Sequence, residues 1–273
     1  MDSFVLKETV KEGDPLVAVD FLAAGSGLSR SRIKDAMQKG AVWHYRKKKG
    51  KRLRRARAAL AKGDRVALYY SRELLELLPA EPVCLADRIE YSVWSKPAGL
   101  LAQGTMYGDH CSLLRQAELF FQPRRPVFLV HRLDREAEGL MLIAHSSRMA
   151  ADFSEMFRCN RIHRLYRVAV RGSLVGQSAR GRIDYPLDGK EAVTEFTVTG
   201  YDPARNVSTA EVSIATGRLH QIRRHFDMLG HPVMGDPKYG SNNRNESGMQ
   251  LKAVRMRFAC PVTGEDLDFS LPA

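Results

Sequence analysis

The 273-residue chain carries 43 Lys+Arg against 31 Asp+Glu, a formal net charge of +12, and is 44% hydrophobic. That is globular composition with enough apolar material for a sizeable core, and so large a basic excess points to a polyanionic partner, most often nucleic acid. The four cysteines (Cys84, Cys111, Cys159 and Cys260) form no Cys-x-x-Cys pair, which argues against a zinc cage or disulfide scaffold and suits a reducing compartment.

The N-terminal MDSFVLKETVKEGD lacks the apolar core of a signal peptide, and no run approaches the ~18 apolar residues of a membrane span. The expectation is a soluble, cytoplasmic protein with no membrane partner. Residues 1–80 hold 18 Lys+Arg and 9 Asp+Glu, so +9 of the +12 lies in under a third of the chain. Residues 14–24 place apolar side chains at helical spacing, and Gly25-Ser26-Gly27 breaks the pattern. Ser29 is positioned as the N-cap of a second helix, with Gly40 closing it. A short strand follows at 41–43, then the run RKKKGKRLRRAR at 46–57, which has nine basic side chains and no acid. Lys62-Gly63-Asp64 reads as a turn and 65–69 as a closing strand. The candidate phosphate-binding side chains are Arg30, Arg32 and Lys34, near a helix N-terminus, and Arg46, Lys47, Lys48, Lys49, Lys51 and Arg52 in the run. A solvated basic face is the bland reading of such a run, but nothing nearby in sequence neutralises it.

Residues 73–85, with two prolines, read as a join. The expected domains are therefore 1–80 and 81–273. In the second, strands are predicted over 87–94, 126–130, 139–144, 165–172, 194–200 and 206–215. Helices are predicted over 147–157 and 219–229, and Lys96-Pro97-Ala98-Gly99 is a turn. Many strands with few helices predict an α+β domain with a mixed, largely antiparallel sheet, preceded by a small α/β module.

Asp134 lies between two apolar strands in VFLVHRLDREAEGLMLIA. A loop aspartate is usually structural or solvated; here Arg132 and Arg135 flank it and favour its charged form. An ionised carboxylate can serve as nucleophile or base toward a sugar or base ring. The segment TGRLHQIRRHFDMLGHPVMGDPKYG clusters Arg218, Arg223 and Arg224 with His220 and His225 at a helix start. Those histidines are five apart and belong to no His-Glu-x-x-His pattern, which argues against zinc. Tyr166, in Arg164-Leu165-Tyr166-Arg167, is either core or a face for base stacking.

Two resemblances arise from these motifs. Residues 14–70, with Ser-Arg at the second helix start and Gly-Asp before the last strand, resemble the αL RNA-binding module of ribosomal proteins. HRLDREAEGLMLIA, RLYRVAVRG and TGRLHQIRRHFDMLGHPVMGDPKYG, in that order, resemble the RluA-type pseudouridine synthases of rRNA and tRNA. YSVWSKPAGLLAQGT resembles that family's opening strand and turn, and CPVTGEDLDFSLPA its closing strand pair. The resemblance implies isomerisation of uridine to pseudouridine in RNA with no cofactor or metal. The strongly basic N-terminal module favours a large structured RNA, large-subunit rRNA over tRNA, and a monomer is expected. The resemblance implies Asp134 as the catalytic aspartate and Arg132 as a contact to RNA with the nucleotide flipped out. Tyr166 would stack on uracil, and Arg223 would pair with Asp134. Ala137-Glu138 departs from the usual small hydroxyl-bearing pair, and Arg164 replaces the usual Lys. The alternative is a noncatalytic RNA-binding or ribosome-assembly factor with a decayed site, and Ala137-Glu138 is its support. A glycosidic hydrolase is weaker, because only one carboxylate has a convincing setting.

Overall fold

The computed structural model describes residues 2–46, 49–174 and 179–272, so Lys47 and Lys48 of the basic run lie outside the described residues. The chain divides into two units: Met1–Pro79 with Gln103–Leu119, and Ala80–Ala102 with Phe120–Ala273.

In the first unit, the segments are β1 (Ser3–Thr9), α1 (Ala18–Ser26), α2 (Arg30–Gln38), β2 (Val42–Arg46), β3 (Lys49–Arg52), β4 (Arg65–Ser71) and α3 (Arg72–Glu76). The strands form an antiparallel sheet in the order β1-β4-β2-β3. Alternation decides which face is buried: Val66, Leu68 and Tyr70 of β4 pack with Leu22 of α1 and with Ile33 and Met37 of α2. Each such aliphatic side chain contributes about 1.5–3 kcal/mol on burial. Ser29 caps α2, its hydroxyl accepting from the Arg32 amide at 3.4 Å. Gly40 takes φ 82°, as the helix exit requires. Helix α1 runs two residues into the expected break and stops at its last glycine, Gly27, φ 70°. Strand β1 was not expected, because its short alternation is mostly exposed and becomes a strand only by pairing with β4.

Residues 103–119, to which the sequence assigned no element, pack with this unit. They carry most of α4 (Leu113–Phe120) and bring in Asp109, which pairs with both Arg52 and Arg54. Trp43 Nε1 donates to the Met106 carbonyl at 3.0 Å.

The second unit continues with β5 (Val83–Asp87), β6 (Tyr91–Lys96), β7 (Phe128–Leu129), β8 (Glu138–Ala144), α5 (Ser147–Arg158), β9 (His163–Arg171), β10 (Arg180–Ile183), β11 (Thr194–Asp202), β12 (Val207–Ile214), α6 (Gln221–Met228), β13 (Leu251–Ala259) and β14 (Asp266–Ser270). Its sheet runs β10-β11-β12-β9-β13-β8-β6-β5, with β14 on β13 and β7 on β8. Among the described strands, β8 and β13 pair in parallel and the rest antiparallel, so this is an α+β fold with a mixed, largely antiparallel sheet. The predicted strand over 87–94 is in fact a hairpin, with Asp87 ending β5, Ile89 at φ 65° in the turn, and β6 starting at Tyr91. Under the sheet, α5 lays Met149, Phe153 and Met156 against Tyr91, Leu140 and Leu142. No helix among the described residues is long and apolar enough to cross a membrane.

Candidate active site

Asp134 sits in the loop between β7 and β8, and this loop is held from below. Lys96, fully buried at the end of β6, donates through Nζ to the carbonyls of Pro97 at 2.9 Å, Leu100 at 2.7 Å and Arg135 at 3.3 Å. Burial pushes its ammonium down to about 8, against the opposing pull of Glu136, Asp134 and Glu138. The Gly99 amide, in the Lys-Pro-Ala-Gly turn, bonds the same Arg135 carbonyl at 2.7 Å. The residue after Asp134 is thereby tied to the turn that precedes it by some 35 positions.

The loop leaves into β8 through Ala137, buried, and Glu138, whose carboxylate lies 3.5 Å from Lys252 of β13. Glu138 thus faces a lysine across the parallel pair. Gly139 follows at φ 119°, where a Cβ would collide with the Ala253 backbone. Only glycine lets β8 approach β13 this closely.

On the opposite wall, α6 begins at His220, which takes the left-handed conformation at φ 52°. Gln221 holds this entry: its Oε1 accepts from Thr216 Oγ1 at 2.7 Å and from the Arg218 amide at 3.0 Å, and its Nε2 donates to the Val193 carbonyl at 2.9 Å. One turn of helix then aims Arg223 inward. Its Nη1 donates to Asp134 Oδ2 at 2.8 Å, while Nε and Nη2 form a fork on Asp236 at 2.6 and 2.8 Å. Arg223 and Asp236 side chains are 3% and 0% exposed, and Asp134 is 16% exposed. Burial alone would lower the Arg223 pKa, but the two carboxylates raise it above the usual guanidinium value. Burial would likewise raise Asp236, but Arg223 and the Lys238 and Tyr239 amides bring it below the usual carboxylate range. Arg223 is thus a permanent cation, anchored on one side and offering one N–H to Asp134.

His220 Nε2 lies 3.7 Å from Asp134 Oδ1, and its Nδ1 lies 2.9 Å from the Tyr239 hydroxyl. Burial lowers the imidazole pKa despite Asp134, so the ring is neutral at pH 7. The Arg223 guanidinium lies 5.1 Å from the Tyr239 ring centre.

A cavity of about 480 Å³ opens above Asp134, and its lining includes Arg132, Arg164, Tyr166, Arg218, His220 and Arg223. Tyr166 reaches it from β9, between Val212 of β12 and Ala253 of β13. Burial raises its phenol, outweighing Arg164, so it stays protonated at neutral pH. Arg164 lies with its guanidinium 5.2 Å from the Phe157 ring centre. His131, also in the lining, accepts the Leu142 amide at Nε2 (2.9 Å), and burial with Arg164 nearby pushes it down to about 3.

The structure therefore brings Asp134, Arg223, Tyr166 and Arg132 to one cavity. Arg218 and His220 of the basic cluster also line it, whereas Arg224 pairs with Asp188 and His225 is buried against Thr194 and the Tyr185 carbonyl. Sequence reasoning missed Asp236, His220's approach to Asp134, Gln221 and Lys96. The Gly-Asp-Pro at 235–237 was a signal for Asp236, since an acid beside Pro and Gly so near a cationic helix is a natural counter-ion. Among the candidate RNA contacts, Arg30 pairs with Asp20 at 2.5 Å and is 70% exposed, while Arg46 pairs with Asp64 at 3.2 Å. Arg32 and Lys34 on α2 and Lys49 and Lys51 on β3 are exposed. Arg52 is different: it is 17% exposed, bonds the Gly40 and Thr105 carbonyls and Asp109, and has a pKa lowered by burial against the pull of Asp109. It holds the unit together more than it faces solvent.

A family model described as RNA pseudouridylate synthase matches residues 90–228, about half the chain. An uncharacterized RNA pseudouridine synthase of Mycoplasma pneumoniae is 30% identical over 91% of this chain and 86% of its own length. The tRNA pseudouridine synthase C of Pasteurella multocida is 33% identical over 71% of this chain and 89% of its own. The structure of human RNA pseudouridylate synthase domain containing 1 shares the fold, with a TM-score of 0.59 over 72% of this chain and 86% of that one, at 23% identity. The motifs, the fold and these relatives agree: the chain belongs to the RNA pseudouridylate synthase family, of the RluA type.

Proposed function

We propose that the protein converts uridine in structured RNA to pseudouridine with Asp134 as its catalytic group. The observation that supports this most is Arg223, locked on buried Asp236 and donating its remaining N–H to Asp134 at the wall of the cavity. Such a carboxylate is oriented before substrate arrives. The reaction breaks the bond between ribose C1′ and uracil N1, turns the base, and joins C1′ to C5. The C5 proton leaves and N1 gains one, so atoms balance without a co-reactant. The target nucleotide must leave its stack, at a cost of a few kcal/mol. Stacking on Tyr166 and contact of Arg132 with the RNA backbone offset that cost. Tyr166, as a neutral phenol, contributes its ring rather than a phenolate.

Asp134→Asn is expected to abolish tritium release from RNA labelled at uridine C5 while RNA affinity stays within about twofold. Near-normal release would overturn the assignment and favour a noncatalytic RNA-binding role. For substrate we favour large-subunit rRNA, because the charge of the first unit suits a large folded polyanion. The relative named tRNA pseudouridine synthase C supports tRNA instead. Mapping pseudouridines in rRNA and tRNA from cells with and without the gene decides between them.

A further inference from the structure

The first unit has a second face. Helices cover the side of its sheet that carries Val66, Leu68 and Tyr70. Register places Lys7 and Thr9 of β1, Arg65, Ala67 and Tyr69 of β4, and Trp43 and Tyr45 of β2 on the other side. There Lys7 stands opposite Ala67 and Thr9 opposite Arg65, with Trp43 and Tyr45 completing those rows.

That side contains a groove of about 300 Å³ with Ala67 buried among its lining. Tyr45 and Tyr69, both half-buried, line it. Lys7 and Arg65 sit 5.8 Å from the Tyr69 and Tyr45 ring centres respectively, and Glu8 also lines the groove. Tyr107, from the segment 103–119, meets Tyr69 edge-on at 5.6 Å. Gly50 of β3 makes room for this arrangement: a Cβ there would strike the Tyr45 ring. Exposed cations beside aromatic rings, over a small-residue floor, are what unpaired nucleotides need: rings for the bases and charge for the phosphates. A duplex offers no free base face to such a groove.

We propose that this sheet face binds an unpaired stretch of RNA by stacking at least one base on Tyr45 or Tyr69, with Lys7 and Arg65 on the adjoining phosphates. This rests on the reading of the chain as an RNA-modifying enzyme and adds a site apart from α2 and from the Asp134 cavity. The net charge of the unit argues for RNA over an acidic protein, and the paired rings argue for unpaired bases over a duplex.

The test uses the full chain with a decamer of oligouridylate and a duplex RNA of equal length. Tyr45→Leu/Tyr69→Leu is expected to weaken oligouridylate binding about tenfold, with the log-log salt slope unchanged and duplex affinity unaltered. Lys7→Gln/Arg65→Gln is expected to make the oligouridylate slope shallower by about 1. Unchanged oligouridylate affinity in the leucine variant, or an equal loss for duplex, overturns the proposal. Should the leucine variant fail to fold, a 5-iodouridine oligomer crosslinked to the wild type reads the same point. An adduct at Tyr45 or Tyr69 supports the site, and adducts confined to other peptides overturn it. Asp134→Asn separates the two readings: it leaves oligouridylate affinity unchanged whether or not it abolishes turnover.

Discussion

Arg223 makes three hydrogen bonds in one plane, two to Asp236 and one to Asp134. A lysine cannot reproduce that fork, because an ammonium is a compact point charge. Arg223→Lys is expected to lower turnover at least about 100-fold and to cost about 3 kcal/mol, since Asp236 would keep a fully buried charge with a poor partner. Tritium release and urea unfolding measure the two effects, and a variant of wild-type stability would remove Asp236 as the anchor. His131 supplies a pH-dependent effect with a definite sign. Its folded value of about 3 lies below that of an exposed imidazole. Between these values the unfolded chain binds a proton that the native chain refuses, so stability falls as pH drops from about 6.5 toward 3. The expected loss from pH 6.5 to 5 is about 1–2 kcal/mol from this residue. His131→Gln, which retains an acceptor for the Leu142 amide, should flatten the urea-midpoint profile over that window; an identical profile would assign the slope to other groups.

At the scale of elements, the position of Asp134 depends on where β8 begins. The parallel contact of β8 with β13 spans Glu138 to Lys252 and Gly139 to Ala253. Gly139→Ala adds a methyl group against the Ala253 backbone at a φ of 119° that side chains avoid. The strands must part there, at an expected cost of about 3 kcal/mol, and the Asp134 loop moves with them. kcat should fall more than KM rises, and a variant with wild-type kcat would show that the loop is set by Lys96 alone. The helix caps are more local. Ser29→Ala removes the acceptor for the Arg32 amide. It is expected to cost about 1 kcal/mol, read as a lower urea midpoint with turnover at saturating RNA unchanged.

At the scale of the whole molecule, most of the basic excess lies in residues 1–80, and the Asp134 cavity lies in the second unit. Phosphate binding through α2 predicts that Arg30→Gln/Arg32→Gln/Lys34→Gln makes the salt dependence of RNA affinity shallower by about 2. An unchanged slope would move the phosphate contacts elsewhere. These substitutions are a cleaner test than removing residues 1–80, because residues 103–119 belong to the same unit and would lose their packing partners.

Much of this was legible in the chain. Period-2 and period-3.6 patterns located β4, β8, β9, β11, β12, α2, α5 and α6, because those segments bury one face over several turns or repeats. Ser29 and Gly40 marked the ends of α2 through local hydrogen bonding alone. The motifs around Asp134, Tyr166 and Arg223 named side chains that the fold brings to one cavity. Strand β1 escaped notice because its pairing with β4 joins positions some sixty residues apart, and Gln103–Leu119 because its partners precede it by a comparable distance. For the same reason the sequence left the basic run without a counter-ion, whereas Asp109 supplies one to Arg52 and Arg54. The sequence by itself determined the class of fold, through local periodicity, and the family, through short motifs. Only the tertiary structure decided that Asp236 anchors Arg223, that Lys96 ties the Asp134 loop to its turn, and that Glu138 meets Lys252. Each of these depends on where the fold brings together groups far apart in sequence, and for Asp236 and Lys96 it does so in surroundings dry enough to strengthen the contact.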